Sequence, residues 1–288
     1  MAKSKVVVLL LCLGLAHSAW GYVFDSIDVS SKARGMGAAW VASADDATAI
    51  FYNPACLVQV ESANVFASML RPNSQSFETL TYFAYGMPIG KRQHAGISFR
   101  SFGVEYQGVD LLDEWTFSLA YALRVMEDIH SSLYLGGALN LYTLDFGRTS
   151  TVDLGSETTF GLDIGVLGIL RDRTRLGILL KNINEPSVGA TTREPLPQWV
   201  TVGVAYQPYY GVVTELDLRA LRGENVEVHM GMQFMVTDFL KLRFGFQTEP
   251  NSVTGGFSIG HMGFHLDYAY SSHPVLPGTH HVALRGTF

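Results

Sequence analysis

The chain has 288 residues, of which 48% are hydrophobic, 12% aromatic and 16% charged, with 29 glycines and a formal net charge of −6. A typical soluble domain carries about 25% charged residues, so this composition suits a β-rich protein with more apolar surface than a water-soluble fold hides. No basic cluster is dense enough for nucleic acid, and no polar linker or composition shift divides the chain, which argues for one body with an N-terminal appendage.

In chain order, the first element is an export signal over residues 1–21. Lys3 and Lys5 precede the short apolar run Val6 to Leu15. Ala16-His17-Ser18 and Ala19-Trp20-Gly21 both fit a small-x-small cleavage site. The run is too short for a spanning helix, and Leu9-Leu10-Leu11 before Cys12 is a poor lipoprotein context. Cleavage removes two lysines and no acid, so −6 becomes −8, and Cys56 is left without an intrachain disulfide partner.

Residues 22–58 follow a different rule from the rest. Gly35 and Gly37, with several alanines around them, permit tight turns and close packing. Asp46 is expected to cap one or two helical turns over Ala47 to Tyr52. That piece should stop at Asn53, because the residue before a proline is pushed out of the α region. Asn53 is then placed to cap a second short helix that starts at Pro54. Such a compact block cannot join a sheet, and its simplest place is inside a barrel as a hatch. Asp45 and Asp46 also make a carboxylate pair, but capping accounts for Asp46 and nothing nearby supports catalysis.

From residue 59 onward the chain alternates. Trp115, Phe117, Leu119, Tyr121, Leu123 and Val125 lie on one strand face, and Thr116, Ser118, Ala120, Ala122 and Arg124 on the other. Residues 225–234, 240–247 and 262–270 repeat the pattern. About fourteen such blocks occur, an even number, as single-chain bacterial barrels require. Ten residues at about 3.3 Å each, tilted by about 45°, rise roughly 23 Å, which matches an outer-membrane apolar band. The expectation is an all-β transmembrane barrel over 59–288, with residues 22–58 in its lumen.

The links sort by parity. Short ones fall near 90–93, 126–129, 171–174, Pro208-Tyr209, Thr237 and His261. The intervening ones include the long stretches 104–112, 144–156, 184–196 and 272–278, with modest ones near 71–76, 220–224 and 250–251. Outer-membrane barrels alternate short periplasmic turns with longer outer loops in this way. The polar face puts Arg124, Asp163, Lys181, Glu215, Asp217, Arg219, Glu227, His229, Lys241, Arg243, His265, Asp267 and Arg285 toward the lumen. Charge pairing between strands and hydrogen bonds to the hatch are one role for them, and a polar path for solute is the other. Both signs are present, which argues against selectivity for one ion sign.

Val282, Leu284 and Phe288 share a face of the last strand. A terminal Phe after such a strand resembles the C-terminal signature that the barrel-assembly machinery reads. The segment "KARGMGAAWVASADDATAIFYNPACL", residues 32–57, resembles the N-terminal signature of FadL-like outer-membrane barrels, in particular the PorV/PorQ branch. Gly35-Met36-Gly37, Asp45-Asp46 and Asn53-Pro54-Ala55 carry the match. The ending "YAYSSHPVLPGTHHVALRGTF" resembles that branch as well. Two positions depart from the pattern: Ala38 stands where a second Gly is frequent, and Cys56 where Gly is usual.

The resemblance implies fourteen strands around an N-terminal hatch. It further implies either diffusive passage of hydrophobic molecules or a part in protein secretion. A purely structural outer-membrane role is a third option. The working expectation is passage gated by the hatch, with Asn53-Pro54-Ala55 as pivot, outer-membrane lipid as surroundings and no catalysis. No metal or cofactor is expected: His280 and His281 point to opposite strand faces, and no nucleophile elbow, phosphate loop or zinc spacing occurs.

Overall fold

The computed structural model describes residues 24, 27–146, 155–189, 193–222 and 224–288; the export signal and the middle of the 144–156 link lie outside the described residues. Among the described residues fourteen antiparallel strands close into a barrel. They are β1 (Asn64–Leu70), β2 (Glu78–Pro88), β3 (Gln93–Tyr106), β4 (Val109–Glu127), β5 (Ser131–Asp145), β6 (Ser156–Leu170), β7 (Thr174–Lys181), β8 (Trp199–Tyr209), β9 (Val212–Leu221), β10 (Val226–Thr237), β11 (Leu240–Gln247), β12 (Ser252–His261), β13 (Phe264–Ser271) and β14 (Thr279–Thr287). Each strand pairs with its chain neighbours. The wall closes where β1 meets β14, from Asn64 opposite Thr287 to Leu70 opposite His281.

Burial along the strands is inverted relative to a soluble protein. On β4, Phe117 and Leu119 are exposed at 48% and 52%, whereas Ala120 and Ala122 are buried. Exposed Ile, Leu, Val, Phe and Met side chains recur on nearly every strand, while the opposite face turns into the lumen. That exterior is stable only against lipid tails. Inside hydrocarbon each backbone polar group must be paired within the protein, which a closed wall achieves without an edge. Among the described residues no helix is long and apolar enough to cross a membrane. The chain is thus a membrane β-barrel with the architecture of bacterial outer-membrane proteins.

Link lengths alternate as the sequence suggests, with one correction. Residues 104–112, expected as a long outer loop, instead continue the β3–β4 ladder out to Tyr106 opposite Val109. Gln107 and Gly108 alone make the turn, with φ of 53° and 77°. Positive φ at both central residues suits the right-handed twist of the flanking strands. Residues 105–111 are exposed on both faces of this hairpin, so nothing imposes the alternation that would reveal it. The link 182–198 carries a two-residue ladder, Ser187–Val188 against Glu194–Pro195.

The core is the N-terminal block and the wall around it. The block holds helix α1 (Ser31–Gly35), helix α2 (Ala49–Tyr52) and a 3₁₀ helix over Pro54–Gln59. Asn53 is extended, with φ −168°, and its side-chain oxygen accepts the Ala55 amide at 3.1 Å, with Pro54 in the first turn. Asp46 departs from expectation. The helix begins only at Ala49, and Thr48 at its cap makes no side-chain cap bond. The Asp46 carboxylate instead accepts from the Thr48 amide at 3.0 Å and from the Thr48 hydroxyl, while its other oxygen takes Lys32 Nζ at 2.9 Å. Met36, Trp40, Ile50 and Leu57 are almost wholly buried against Phe66, Leu80 and Tyr82 of the wall.

Leu119 lies near mid-height on the lipid face. Leu119→Arg should lower the unfolding free energy in phospholipid vesicles by about 2–4 kcal/mol. Denaturant titration checks it, and a change near zero would place this face away from lipid.

Candidate functional site: the filled lumen

The block is seated on glycines. Inward-facing Gly136 of β5 lies opposite Gly165 of β6, Gly177 of β7 opposite Gly203 of β8, and Gly231 of β10 opposite Gly245 of β11. A methyl group at Gly136 would run into the Ala55 amide, at Gly177 into the Val41 carbonyl, at Gly231 into the Met36 carbonyl, and at Gly245 into the Gly37 amide. The backbone of the block therefore touches the backbone of the wall around much of the circumference. These glycines fall in directly opposed pairs on three pairs of neighbouring strands, which is the sequence signal for a seat.

Side chains from the wall then grip the backbone of the block. Glu215 and Asp217, two residues apart on β9, point the same way. Asp217 Oδ2 accepts the Trp40 amide at 2.8 Å and the Val41 amide at 3.0 Å. Glu215 accepts the Ala42 amide at 2.7 Å and the Ser43 hydroxyl. The Gly37 amide donates to Thr254 Oγ1 at 2.9 Å, and His229 Nδ1 lies 2.8 Å from the Gly37 carbonyl oxygen. Asn53 Nδ2 donates to the Val41 carbonyl at 2.8 Å within the block and to Val166 of β6 at 3.1 Å. Hydrogen bonds of this kind contribute roughly 0.5–1.5 kcal/mol net each, and more is lost when a buried partner is orphaned.

A second cluster is ionic. Lys32 pairs with Asp45 and Asp46, Arg285 lies 3.9 Å from Asp46 and 3.6 Å from Asp267, and Ser258 bridges Asp267 to Arg243. Arg243 also donates to Gln233 at 2.8 Å and its aliphatic stem packs on Gly35. His265 lies opposite Arg285 across the β13–β14 ladder. Lys241 sits near the short-link end of β11, opposite Ser258. Asp45 is the more solvent-open acid of its pair, at 42% side-chain exposure against 0% for Asp46.

On the long-link side, Arg219 pairs with Glu227 at 3.8 Å and stacks over the Trp199 ring, and Arg34 pairs with Asp28 at 3.4 Å. Asp163 accepts from Asn140 Nδ2 at 2.7 Å and from the Asn182 amide at 2.8 Å. Lys181 Nζ lies 4.0 Å over the Phe51 ring. Arg124 stands apart: it is tied to Glu127 and the Lys91 carbonyl at the short-link rim, away from the block. Phe288 lies outside and meets Phe264 edge-on at 5.8 Å.

The two departures from the family pattern behave differently. Cys56 lies inside the 3₁₀ helix and needs no positive φ; its Sγ lies 3.3 Å from the Val41 carbonyl. Burial, with Glu215 adding to it, pushes that thiol well above its ordinary pKa, so it stays protonated and unreactive. Ala38 does adopt the left-handed region, with φ 64°, where an L side chain costs about 1–2 kcal/mol.

Above the block, on the long-link side, an open vestibule of about 570 Å³ is walled by Ile27, Phe102, Leu112 and Trp199, with Asp28, Arg34, Glu114 and Arg219 among its polar groups. Deeper, beside Phe51, lie two small voids of about 20 Å³ each. Each holds about one water molecule. Among the described residues no group of three or more His, Cys, Asp or Glu could hold a metal ion. His280 faces outward beside Tyr268 and Tyr270, whereas His281 is buried inside.

A closed fourteen-stranded barrel with a filled lumen belongs to a definable class by architecture, the outer-membrane β-barrels. No protein-family model matches the sequence, and no curated protein matches it. Among solved structures, the CymD monoaromatic hydrocarbon channel superposes with a TM-score of 0.68 at 12% identity, over 92% of this chain and 99% of that one. A Pseudomonas aeruginosa FadL homologue gives 0.63 at 11%, over 93% and 100%. The Pseudomonas putida toluene transporter TodX gives 0.61 at 13%, over 92% and 98%. At these identities the likeness establishes the fold, which is FadL-like.

Two substitutions test the seat. Gly136→Ala and Gly245→Ala should each push the block off the wall, so that trypsin cleaves at Lys32 or Arg34 in the variants and spares the folded parent; identical digestion patterns would refute the seat. Ala38→Gly relieves the left-handed strain and should raise stability by about 1 kcal/mol, read as a higher denaturation midpoint in detergent.

Proposed function

We propose that this protein lets small hydrophobic or amphipathic molecules cross the outer membrane passively, with residues 22–58 as the hatch that gates the lumen. The observation that carries the reading is the join between block and wall. It consists of backbone contacts on glycine, apolar packing, hydrogen bonds and the Asp46–Arg285 ion pair, with no disulfide among the described residues. Such a join can be exchanged for water or solute bond by bond. The vestibule supports the substrate class, since apolar walls at Phe102, Leu112 and Trp199 adjoin paired charges, a combination that suits a molecule with a greasy body and a polar end. The fold-level likeness to structures described as monoaromatic hydrocarbon channels points the same way by analogy.

In this reading Asn53-Pro54-Ala55 is the pivot. Asn53 links the Val41 strap to β6, and the Ala55 amide rests on Gly136, so a tilt there frees both contacts together. The inward charges named from sequence serve chiefly to hold the hatch, and Phe288 is the group offered to the barrel-assembly machinery.

The PorV/PorQ resemblance supports a second reading, a component or shuttle of a secretion system that holds a protein client on its outer side. The observation that favours it is the projecting β3–β4 hairpin, where Tyr106, Val109 and Leu111 are exposed at 57%, 40% and 49%, beyond the belt that lipid covers.

Uptake of a small hydrophobic fluorophore into liposomes separates the readings. Passage predicts uptake above that of empty liposomes, and faster uptake when residues 22–58 are deleted. No uptake by either barrel, together with co-purification of a large partner that is lost on Tyr106→Asp, would replace passage with the secretion reading.

A further inference from the structure

The outer wall has a concavity that the lumen does not explain. At the seam, outward-facing Ala67 of β1 and Thr81 of β2 are small where their neighbours Phe83, Met69, Val282 and Leu284 are large. Between them lies a groove of about 730 Å³, which also reaches Arg71 and His280. Those two residues stand at its long-link end, one on each side of the β1–β14 seam. Arg71 follows Leu70, and His280 precedes the His281 that faces Leu70. Both are exposed. Arg71 has no ion pair among the described residues, and His280 shares a hydrogen bond with the Tyr268 hydroxyl at 2.7 Å.

We infer that this groove is a binding site for an anionic phospholipid-type molecule of the outer leaflet, with one acyl chain along Ala67, Val282 and Leu284 and its phosphate on Arg71. The groove lies within the belt that faces lipid tails, so a tail is what fills it. Arg71 directly follows the end of β1 at the long-link rim of the wall, and a guanidinium there with no ion pair among the described residues matches a phosphate in charge and in fork geometry. His280 and the Tyr270 ring beside it supply a polar, aromatic shelf of the kind found at membrane interfaces. This inference is independent of what passes through the lumen.

Native mass spectrometry of the full barrel, released from detergent with phosphatidylglycerol or phosphatidylcholine of identical chains, tests it. One cation at the membrane surface contributes about 1 kcal/mol toward an anionic head group, so the parent should retain phosphatidylglycerol about fivefold better. Arg71→Gln should erase that preference and keep tail binding. Ala67→Phe, or Thr81→Leu in its place, should fill the groove and lower retention of both lipids. Equal retention by the parent, a preference that survives Arg71→Gln, or undiminished binding after both fillings would overturn the assignment. So would a parent dimer that Ala67→Phe splits, because the groove would then be covered by a second copy of the chain.

Discussion

Hydrocarbon offers no partner for a peptide group, and that constraint organises the whole molecule. Each strand that crosses lipid must find its hydrogen bonds in neighbouring strands, and the last must find them in the first. The pairing of β1 with β14 meets this requirement. It also fixes the circumference, so the lumen is a cylinder of given width that side chains alone do not fill. The N-terminal block is the filler, and its shape is dictated by what remains between the walls.

The inward glycines and carboxylates follow from that fit. The wall can approach the backbone of the block this closely only where the wall residue has no Cβ, which is why Gly136, Gly231 and Gly245 face Ala55, Met36 and Gly37. The stretch Trp40 to Ala42, between the short helices, presents its amides to the wall. Asp217 and Glu215 accept them, and Thr254 adds a second acceptor to the Gly37 amide, which also donates to the Arg34 carbonyl. Burying charge is expensive unless it is matched. The matching runs in a chain, from Lys32 to Asp46, Arg285 and Asp267.

Much of this was legible in the residues because lipid enforces a period of two. Wherever one face met tails, as along Trp115 to Val125, alternation marked both the strand and its orientation. Where lipid ended, the mark vanished, and Tyr106 to Leu112 read as a loop although they continue a ladder. Asn53-Pro54 announced the break between two short helices because proline acts locally. Asp46 misled because local capping lost to distant cations and to Thr48. The glycine seat was hidden for another reason: Gly136 and Ala55 are neighbours only after the barrel closes, and one sequence holds no direct statement of such a pair. Ala38 carried no warning of its left-handed backbone beyond the family pattern that prefers Gly there.

The closed seam is the claim on which every other contact rests, and amide hydrogen exchange in lipid nanodiscs addresses it directly. The account predicts that amides along β1 and β14, from Val65 to Leu70 and from Val282 to Gly286, exchange as slowly as those in the β4–β5 ladder. Rapid exchange confined to the seam, with the other ladders protected, would contradict it.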